Sequence, residues 1–194
     1  MNAEGNPVSR IDGGAVLAKS MRALGIREVF ALHGGHLDAF LVACADEQIR
    51  LTDTRHEATA GYAAEAYARA PGEIGVCVIT AGPGFSNRLT AMVNAWLDAM
   101  PVLFIPGSPP PREVALNPLQ GGFDQVGMAA PVTKWAHRIT NVERIPDIVD
   151  KAVRLARSGR PGPVFLEVPI DLMFGPMHPQ DLVLPARPGL QTQP

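Results

Sequence analysis

Short apolar runs that alternate with helical segments are the feature that most constrains this sequence. Four of these runs are five to seven residues long and precede glycine-rich or polar segments: 28–32, 49–54, 74–80 and 101–106. Patterns of helical length, amphipathic or alanine-rich, lie before and between them: 12–24, 37–45, 57–70 and 84–98. Strands separated in this way by helices are typical of a parallel sheet with helices on both faces.

The second half of the chain adds two further strands. An irregular stretch over residues 107–122 leads to a short helix at 124–129 and a strand at 134–139. A helix at 145–158 and a strand at 164–168 complete the pattern. The strands at 74–79 and 102–105 show no polar alternation, which indicates that they are buried on both faces. The sequence therefore predicts an α/β fold with an open, six-stranded, mostly parallel sheet and helices on both faces.

The composition excludes several classes of protein. Hydrophobic residues make up 46% of the chain and charged residues 19%, which is typical of a folded domain with an apolar core. Lysine and arginine total 17 against 19 acidic residues, without a basic stripe, so no nucleic-acid partner is expected. No apolar run approaches the ~20 residues that span a bilayer, and the first residues lack a signal-peptide pattern. We therefore expect no membrane association and a cytoplasmic location.

The distribution of prolines predicts the domain organisation. Of 19 prolines, 16 lie from Pro101 onward, and the last 19 residues contain five of them. We expect an N-terminal extension at residues 1–11, one domain at 12–172, and a proline-rich linker at 173–194 that leads to further domains.

The cysteines and histidines do not form a metal-binding pattern. Cys44 and Cys77 are flanked by apolar residues and are predicted to be buried, reduced thiols. His33 and His36 stand in one glycine-containing loop at a strand end, with no third ligand at suitable spacing. No metal site is therefore expected within this chain, and the two histidines indicate a binding site of another kind.

Four loops follow the carboxyl ends of the predicted strands: 33–36, 55–57, 81–87 and 107–120. Ligands of parallel α/β sheets bind outside these ends, so all four loops should lie at one edge. The 81–87 loop, Ala-Gly-Pro-Gly-Phe-Ser-Asn, has Asn87 where a dinucleotide-binding loop needs a third glycine or alanine. It is either a tight strand-to-helix turn or a place where the backbone approaches a flat ring. A nicotinamide cofactor is not expected.

Glu57 has two interpretations. Thr54-Arg55-His56-Glu57 fits a capping box, in which the glutamate bonds back to the amide at the helix start. Alternatively, the helix that Glu57 opens carries small residues that let another backbone or subunit approach: Ala58, Ala60, Gly61, Ala63, Ala64, Ala66 and Ala68. Such an approach would bury Glu57 among apolar neighbours, where a carboxyl group can exchange a proton near neutrality. Spacing alone favours the cap.

Ten segments in chain order carry a family resemblance: 30–36, 53–58, 80–85, 94–98, 101–105, 119–120, 124–126, 128–131, 133–138 and 162–164. The first three read Phe-Ala-Leu-His-Gly-Gly-His, Asp-Thr-Arg-His-Glu-Ala and Thr-Ala-Gly-Pro-Gly-Phe. Together the ten resemble the pyrimidine-binding domain of thiamine-diphosphate enzymes of the acetolactate synthase-like superfamily, the benzaldehyde lyases most closely. The resemblance covers about residues 12–172.

The resemblance implies roles for individual residues. Glu57 matches the family's glutamate, which hydrogen-bonds a ring nitrogen of the cofactor pyrimidine and activates the cofactor. The positions that match cofactor-binding residues are Glu57, Thr80, Pro83 and Asn87. His36 and Gln120 match polar groups that contact the substrate, so they join Glu57 as candidate catalytic residues. His33 matches a neighbouring residue.

The resemblance also implies a reaction. Enzymes of this family use thiamine diphosphate as an electron sink to break or form a carbon–carbon bond next to a carbonyl. The likeness to benzaldehyde lyases implies a lyase or carboligase acting on 2-hydroxy ketones of the benzoin or acyloin type, and on the aldehydes they yield. Acetolactate synthases and 2-hydroxyacyl-CoA lyases share most of these segments and stay open as alternatives. A non-catalytic binding module or subunit is the alternative of another class.

The sequence departs from the family in its diphosphate-binding motif. Gly-Asp-Gly, which marks that motif, does not occur. The resemblance then implies that Mg²⁺ and the cofactor diphosphate are held by another domain of the same or a partner chain. These 194 residues alone should be inactive. Family likeness also implies a homo-oligomer, a dimer or tetramer, paired through the helix at 57–70 and a helix at 91–99.

Overall fold

The computed structural model describes residues 10–113, 116 and 118–186. Its strands are β1 (Ile11–Asp12), β2 (Glu28–Leu32), β3 (Arg50–Asp53), β4 (Gly75–Ile79), β5 (Val102–Ser108), β6 (Trp135–Arg138), β7 (Val164–Pro169) and β8 (Pro176–Met177). Its α-helices are α1 (Gly13–Ala23), α2 (Asp38–Asp46), α3 (Glu57–Tyr67), α4 (Pro83–Asn87), α5 (Leu89–Leu97), α6 (Gln125–Ala129), α7 (Ile145–Arg157) and α8 (Ile170–Met173). Short 3₁₀ turns occupy Gly35–Leu37, Pro111–Glu113, Ala130–Val132, Val142–Arg144 and Pro179–Asp181.

Six strands form one sheet in the order β3-β2-β4-β5-β7-β6, and every neighbouring pair is parallel. The central strands β4, β5 and β7 are buried along their whole length, because helices cover both faces of the sheet. The predicted six-stranded α/β fold is therefore confirmed. β1 and β8 form a separate antiparallel pair that the sequence pattern did not indicate.

Two apolar clusters hold the helices against the two faces of the sheet. α1, α2 and α7 pack on the first face through residues such as Leu17, Phe40 and Val149. α3, α4, α5 and α6 pack on the second face, where Phe85 and Met92 are fully buried. Each such large apolar side chain stabilises the fold by roughly 1.5–3 kcal/mol through burial.

Neighbouring strands send their connections to opposite faces of the sheet at three places, and one of them is the β3–β2 pair, because β3 leads to α3 on the second face. The connection after β2 runs to α2 on the first face, whereas the connection after β4 runs to α4 and α5 on the second. Likewise β5 leads to α6 on the second face, and β7 leads to α8, whose Met173 belongs to the first cluster. Crevices open where neighbouring strands send their connections to opposite faces. The fold therefore offers crevices between β3 and β2, between β2 and β4, and between β5 and β7.

The helix predicted at residues 84–98 is wrong in its continuity, because it divides at Arg88 into α4 and α5. The Arg88 N–H donates to the Phe85 carbonyl at 3.2 Å and closes a short turn, and the Arg88 carbonyl accepts from Met92 at 3.1 Å to begin α5. This break lets the whole Arg88 side chain enter the core, where it is fully buried. An arginine in a helical pattern is normally an exposed residue, so the break could not be predicted from the sequence.

The ends of the domain meet at one place. Asp12 Oδ1 accepts from the Ala15 N–H at 2.7 Å and caps α1. At the other end, Met177 and Pro176 pair with Ile11 and Asp12, so these two residues of the predicted linker pack on the domain. Residues 1–9 of the predicted extension and 187–194 of the linker lie outside the described residues. The domain boundaries stay a prediction.

Both cysteines are free and buried, as predicted. Burial raises the pKa of the Cys44 thiol to about 12, which keeps it protonated at neutral pH. In the part of the chain that the structure describes, no helix is both long enough and apolar enough to cross a bilayer.

Candidate functional site

A chain of hydrogen bonds joins three predicted site residues at the crevice between β2 and β4. The Thr80 hydroxyl, at the end of β4, donates to Gln120 Oε1 at 2.9 Å. His36, in the loop after β2, places Nδ1 3.1 Å from the same hydroxyl oxygen. Because the single hydroxyl proton is given to Gln120, Nδ1 of His36 must be the donor in this second bond. The structure therefore brings His36, Thr80 and Gln120 together.

This arrangement fixes the tautomer of His36. With its proton on Nδ1, the neutral imidazole presents an unprotonated Nε2 that can accept a hydrogen bond or a proton. Partial burial lowers the pKa of His36, and its side-chain contact with Gln120 opposes that shift. The imidazole is therefore neutral at physiological pH, as a proton acceptor in a binding crevice needs to be.

The loop after β4 is the tight strand-to-helix turn that the sequence offered as one interpretation. Gly82 has φ +64°, a conformation that side chains rarely adopt, and a Cβ there would lie 2.8 Å from the Gln120 carbonyl oxygen. Gln120 itself has φ 58°. The turn and the Gln120 segment therefore pack backbone to backbone, which places Gln120 over the end of β4.

Glu57 does not form the capping box that sequence spacing favoured. α3 begins at Glu57, and its cap is His56, whose Nδ1 accepts from the Ala58 N–H at 3.1 Å. The Thr54 hydroxyl instead donates to the Ala31 carbonyl at 3.2 Å, which ties the loop to β2. Because His56 already supplies the cap, the Glu57 carboxylate is free to turn toward α4. There its Oε2 accepts from Asn87 Nδ2 at 2.9 Å.

Gly84 connects the two groups of polar residues. A Cβ at Gly84 would lie 2.8 Å from Thr80 Cγ2 and 3.5 Å from Glu57 Oε1. Glu57 and Thr80 thus lie close to the same backbone position at the start of α4, and a Cβ at Gly84 would clash with the Thr80 side chain. Pro83 precedes this glycine as the first residue of α4 and is exposed.

His33 lies apart from this group. Its exposed ring places Nε2 2.8 Å from Asp38 Oδ1 at the start of α2. Among the described residues, no group of three or more histidine, cysteine, aspartate or glutamate residues could hold a metal ion.

A buried amide that the sequence did not single out supports the crevice. Gln125, the first residue of α6, accepts from the Gly82 N–H at 3.0 Å and donates to the Gly107 carbonyl at 3.1 Å. The same amide donates to Glu167 Oε2 at 3.0 Å. Glu167 is fully buried on β7 and also accepts from Arg138 Nε. Gln125 follows a capping aspartate in the sequence, and nothing in that short pattern separates a buried amide from an exposed one.

The small residues of α3 serve packing within the chain. A Cβ at Gly61 would lie 2.6 Å from the Ala91 Cβ on α5, and a Cβ at Gly75 on β4 would lie 2.0 Å from the Ala64 carbonyl oxygen. The backbone of β4 does approach this helix, but Glu57 stays only half-buried, so its expected burial is not found within this chain. Tyr62 remains 41% exposed on the outer side of α3, and α5 exposes Val93 and Leu97.

The sequence matches a family of known proteins over most of this region. Residues 11–128 match the family described as "Thiamine pyrophosphate enzyme, N-terminal TPP binding domain". The matched range includes every candidate site residue named above: His36, Glu57, Thr80, Pro83, Asn87 and Gln120.

Individual proteins are similar to the chain over nearly its whole length. 2-Hydroxyacyl-CoA lyase 2 of Danio rerio is 43% identical over 166 residues, which are 86% of this chain and 26% of that protein. 2-Hydroxyacyl-CoA lyase 2 of Homo sapiens is 40% identical over 176 residues, covering 91% of this chain and 28% of that protein. A probable acetolactate synthase large subunit of Methanocaldococcus jannaschii is 35% identical over 178 residues, 92% of this chain and 30% of that protein. The chain therefore spans less than a third of the length of these relatives.

Proposed function

The chain belongs to the thiamine pyrophosphate enzymes as their N-terminal TPP-binding domain, and on this premise we propose that it is the cofactor-activating part of a carbon–carbon lyase or carboligase. The proposed substrate carries a hydroxyl group on the carbon next to a carbonyl. Benzoin- and acyloin-type 2-hydroxy ketones have this arrangement, and so do 2-hydroxyacyl thioesters. The bond between the two oxygen-bearing carbons is the one that breaks or forms.

The geometry around Glu57 fits the pyrimidine of thiamine diphosphate. Asn87 holds one carboxylate oxygen of Glu57, while the other, Oε1, has no hydrogen-bond partner among the described residues. That free oxygen lies at the start of α4, 3.5 Å from the position that a Cβ at Gly84 would take and close to the exposed Pro83. Glu57 can therefore hold a proton between Oε1 and a ring nitrogen. This is the single observation on which the proposal depends most.

His36 and Gln120 suit the substrate side of the crevice. Thiamine diphosphate, when bound, supplies the electron sink for cleavage next to a carbonyl. The Nε2 lone pair of neutral His36 can take the proton of a substrate hydroxyl, and the Gln120 amide nitrogen can donate to a carbonyl oxygen. Thr80 keeps both side chains oriented through its hydroxyl.

The names of the relatives favour a second candidate substrate within this class. Two of them are named 2-hydroxyacyl-CoA lyase 2, so a 2-hydroxyacyl thioester is proposed beside the 2-hydroxy ketone. The acetolactate synthase relative makes condensation of 2-oxo acids the third option. Parallel turnover assays of the complete protein with benzoin, a 2-hydroxyacyl-CoA and pyruvate separate these substrates. Turnover of none of them would leave the non-catalytic binding module as the better description.

Further partners follow from the same proposal. Mg²⁺ and the cofactor diphosphate would be held by another domain of the same chain or of a partner chain. A second copy of this chain would cover the exposed Tyr62, Val93 and Leu97 of α3 and α5, forming a dimer or tetramer. We further propose that the protein acts in the cytoplasm.

The role of Glu57 is tested by Glu57→Gln in the complete protein. The amide keeps the bond to Asn87 through its oxygen but cannot exchange the proton, so turnover should fall by about 10²-fold or more. Glu47→Gln is the matched control, because Glu47 pairs with Lys19 at the end of α2 and should leave turnover unchanged. Near-normal turnover of Glu57→Gln would reject the assigned role.

A further inference from the structure

Glu167 is a fully buried carboxylate on β7, outside the candidate site. Phe165, two residues earlier on the same strand, belongs to the second apolar cluster, so Glu167 lies on the face of the sheet that α6 covers. Both of its oxygens are used: Oε1 accepts from Arg138 Nε on the neighbouring strand β6, and Oε2 accepts from Gln125 Nε2 at 3.0 Å. A buried ion pair is weak evidence for a role in stability, which directs attention to what Glu167 holds in place.

The Gln125 amide connects this carboxylate to two backbone groups. Its nitrogen donates one hydrogen to Glu167 and the other to the Gly107 carbonyl at 3.1 Å, while its oxygen accepts from the Gly82 N–H at 3.0 Å. The reverse orientation of the amide would set two acceptors face to face at Glu167 and two donors face to face at Gly82. Of the three partners, Glu167 is the one that bonds through its side chain.

The bond to Gly82 leads to the cofactor side of the candidate site. The Gly82 carbonyl accepts from the Ser86 N–H at 3.0 Å in the first turn of α4, and Asn87 in the same helix holds Glu57. Gly82 also packs on the backbone of Gln120, since a Cβ there would lie 2.8 Å from the Gln120 carbonyl oxygen. A shift of Gly82 would therefore be passed to Glu57 and to Gln120.

The bond to Gly107 leads to His36. A Cβ at Gly107 would lie 2.4 Å from the His36 Cβ, so His36 rests directly on the backbone of β5. The Gln125 amide nitrogen holds the carbonyl of this same glycine. One buried amide thus fixes the backbone beside both groups of polar residues.

We propose that Glu167 is a positioning residue of the candidate site, anchored by Arg138 and acting through Gln125. Its carboxylate holds the Gln125 amide in the orientation and place from which that amide fixes Gly82 and Gly107. The effect on turnover rests on the proposed function, whereas the effect on the Gly82 bond is measured on this chain without cofactor or substrate.

Glu167→Gln tests the proposal with little change in size. Arg138 Nε keeps an oxygen opposite it, so the new amide nitrogen faces Gln125 Nε2 and two donors meet. Gln125 must withdraw, which weakens its bond to Gly82. Hydrogen exchange followed by NMR on the ¹⁵N-labelled chain should show the Gly82 amide exchanging about fivefold faster relative to the slow amides of β5, the value of one hydrogen bond. This ratio separates positioning from stability, because a loss of global stability speeds all slowly exchanging amides alike.

Glu28→Gln is the matched control. Glu28 is also a buried glutamate that accepts from an arginine Nε on the neighbouring strand, here Arg50, but it lies at the amino end of β2 and away from the candidate site. Its replacement should leave the exchange ratio of Gly82 unchanged. If Glu167→Gln does not fold, Arg138→Lys takes its place: lysine keeps the charge but not the fixed Nε donor, so the ratio should rise in the same direction.

In the complete protein, kcat of Glu167→Gln should be at least about tenfold lower than that of the wild type, because displaced site residues lose their alignment. Glu28→Gln should keep the wild-type kcat. The proposal is overturned if Gly82 exchange in the folded variant keeps the wild-type ratio, or if kcat of Glu167→Gln matches that of Glu28→Gln. A wild-type protein without turnover on any tested substrate would count against the proposed function, and the exchange ratio would then decide the positioning role by itself.

Discussion

Replacing Arg88 by methionine should stabilise this protein. Arg88 is fully buried at the break between α4 and α5, and none of its three guanidinium nitrogens has a hydrogen-bond partner. The guanidinium carbon lies between 5.4 and 5.6 Å from the ring centroids of Phe85, Phe104 and Phe165. The charged guanidinium thus lies beside three aromatic rings and has no acidic side chain as a partner. The apolar interior around it disfavours a charge.

The size of the effect follows from the pKa. Burial lowers the pKa of Arg88 from its ordinary value to about 10, and the nearby Cys77 sulfur opposes that shift only in part. A lowering of this size corresponds to a penalty of roughly 3 kcal/mol on the charged form. Attraction to the rings offsets part of it, but methionine also packs favourably against aromatic rings. We expect a net gain of about 2 kcal/mol for Arg88→Met, within the range for buried charges replaced by apolar residues.

Thermal and urea unfolding of this chain measure the gain, which should raise Tm by about 4–8 °C. Arg154→Met, on the exposed side of α7, removes only the pair with Asp150 and should change stability by less than about 0.5 kcal/mol. Above about pH 10 the unfolded chain binds more protons at Arg88 than the folded chain does, so wild-type stability rises there relative to Arg88→Met. A variant less stable than the wild type, or a gap independent of pH, would refute this reasoning.

Two other predictions concern the crevice. Burial lowers the pKa of His36, so the folded protein takes up a proton at this residue less readily than the unfolded chain does. The stability of the wild type, compared with that of His36→Asn, should therefore fall as the pH drops through about 6.5. Urea unfolding of both proteins at several pH values measures this difference. A stability difference that does not vary with pH would contradict it. Gln125→Ala leaves the Gly82 N–H, the Gly107 carbonyl and one Glu167 oxygen without their partner, and should cost about 3 kcal/mol in the same assay. Gln48→Ala, which removes an amide outside this network, is the control. An equal loss of stability in Gln48→Ala would contradict this role of Gln125.

The layout of the sheet could be predicted from the sequence because strands that are buried on both faces have an apolar composition that is visible locally. β4 and β5 read as uninterrupted apolar runs, which only strands covered on both faces tolerate. β1 and β8 are two residues each, too short for any periodic signal, and their pairing depends on chain ends far apart in sequence. The break at Arg88 was missed because its cause is a tertiary contact with three phenylalanines.

The sequence could predict that certain loops of the candidate site meet, but it could not predict the hydrogen bonds between them. Parallel topology brings the loops after β2 and β4 to one edge, so His36 and Thr80 could be expected to meet. Spacing favoured a capping role for Glu57, yet the competing cap was supplied by His56, whose ring in that rotamer reaches the Ala58 amide. Gln125 gave no signal, because a buried amide is recognisable only from the carbonyl and amide groups that surround it in three dimensions.

The most direct test of Glu57 as the group that faces the cofactor is a measurement without substrate. Exchange of the C2 proton of thiamine diphosphate for deuterium, followed by quenched-flow NMR in the complete protein, reports cofactor activation alone. Glu57→Gln should slow this exchange by about 10²-fold or more, whereas Glu47→Gln should not slow it. Exchange in Glu57→Gln as fast as in the wild type would contradict the central role of this carboxylate.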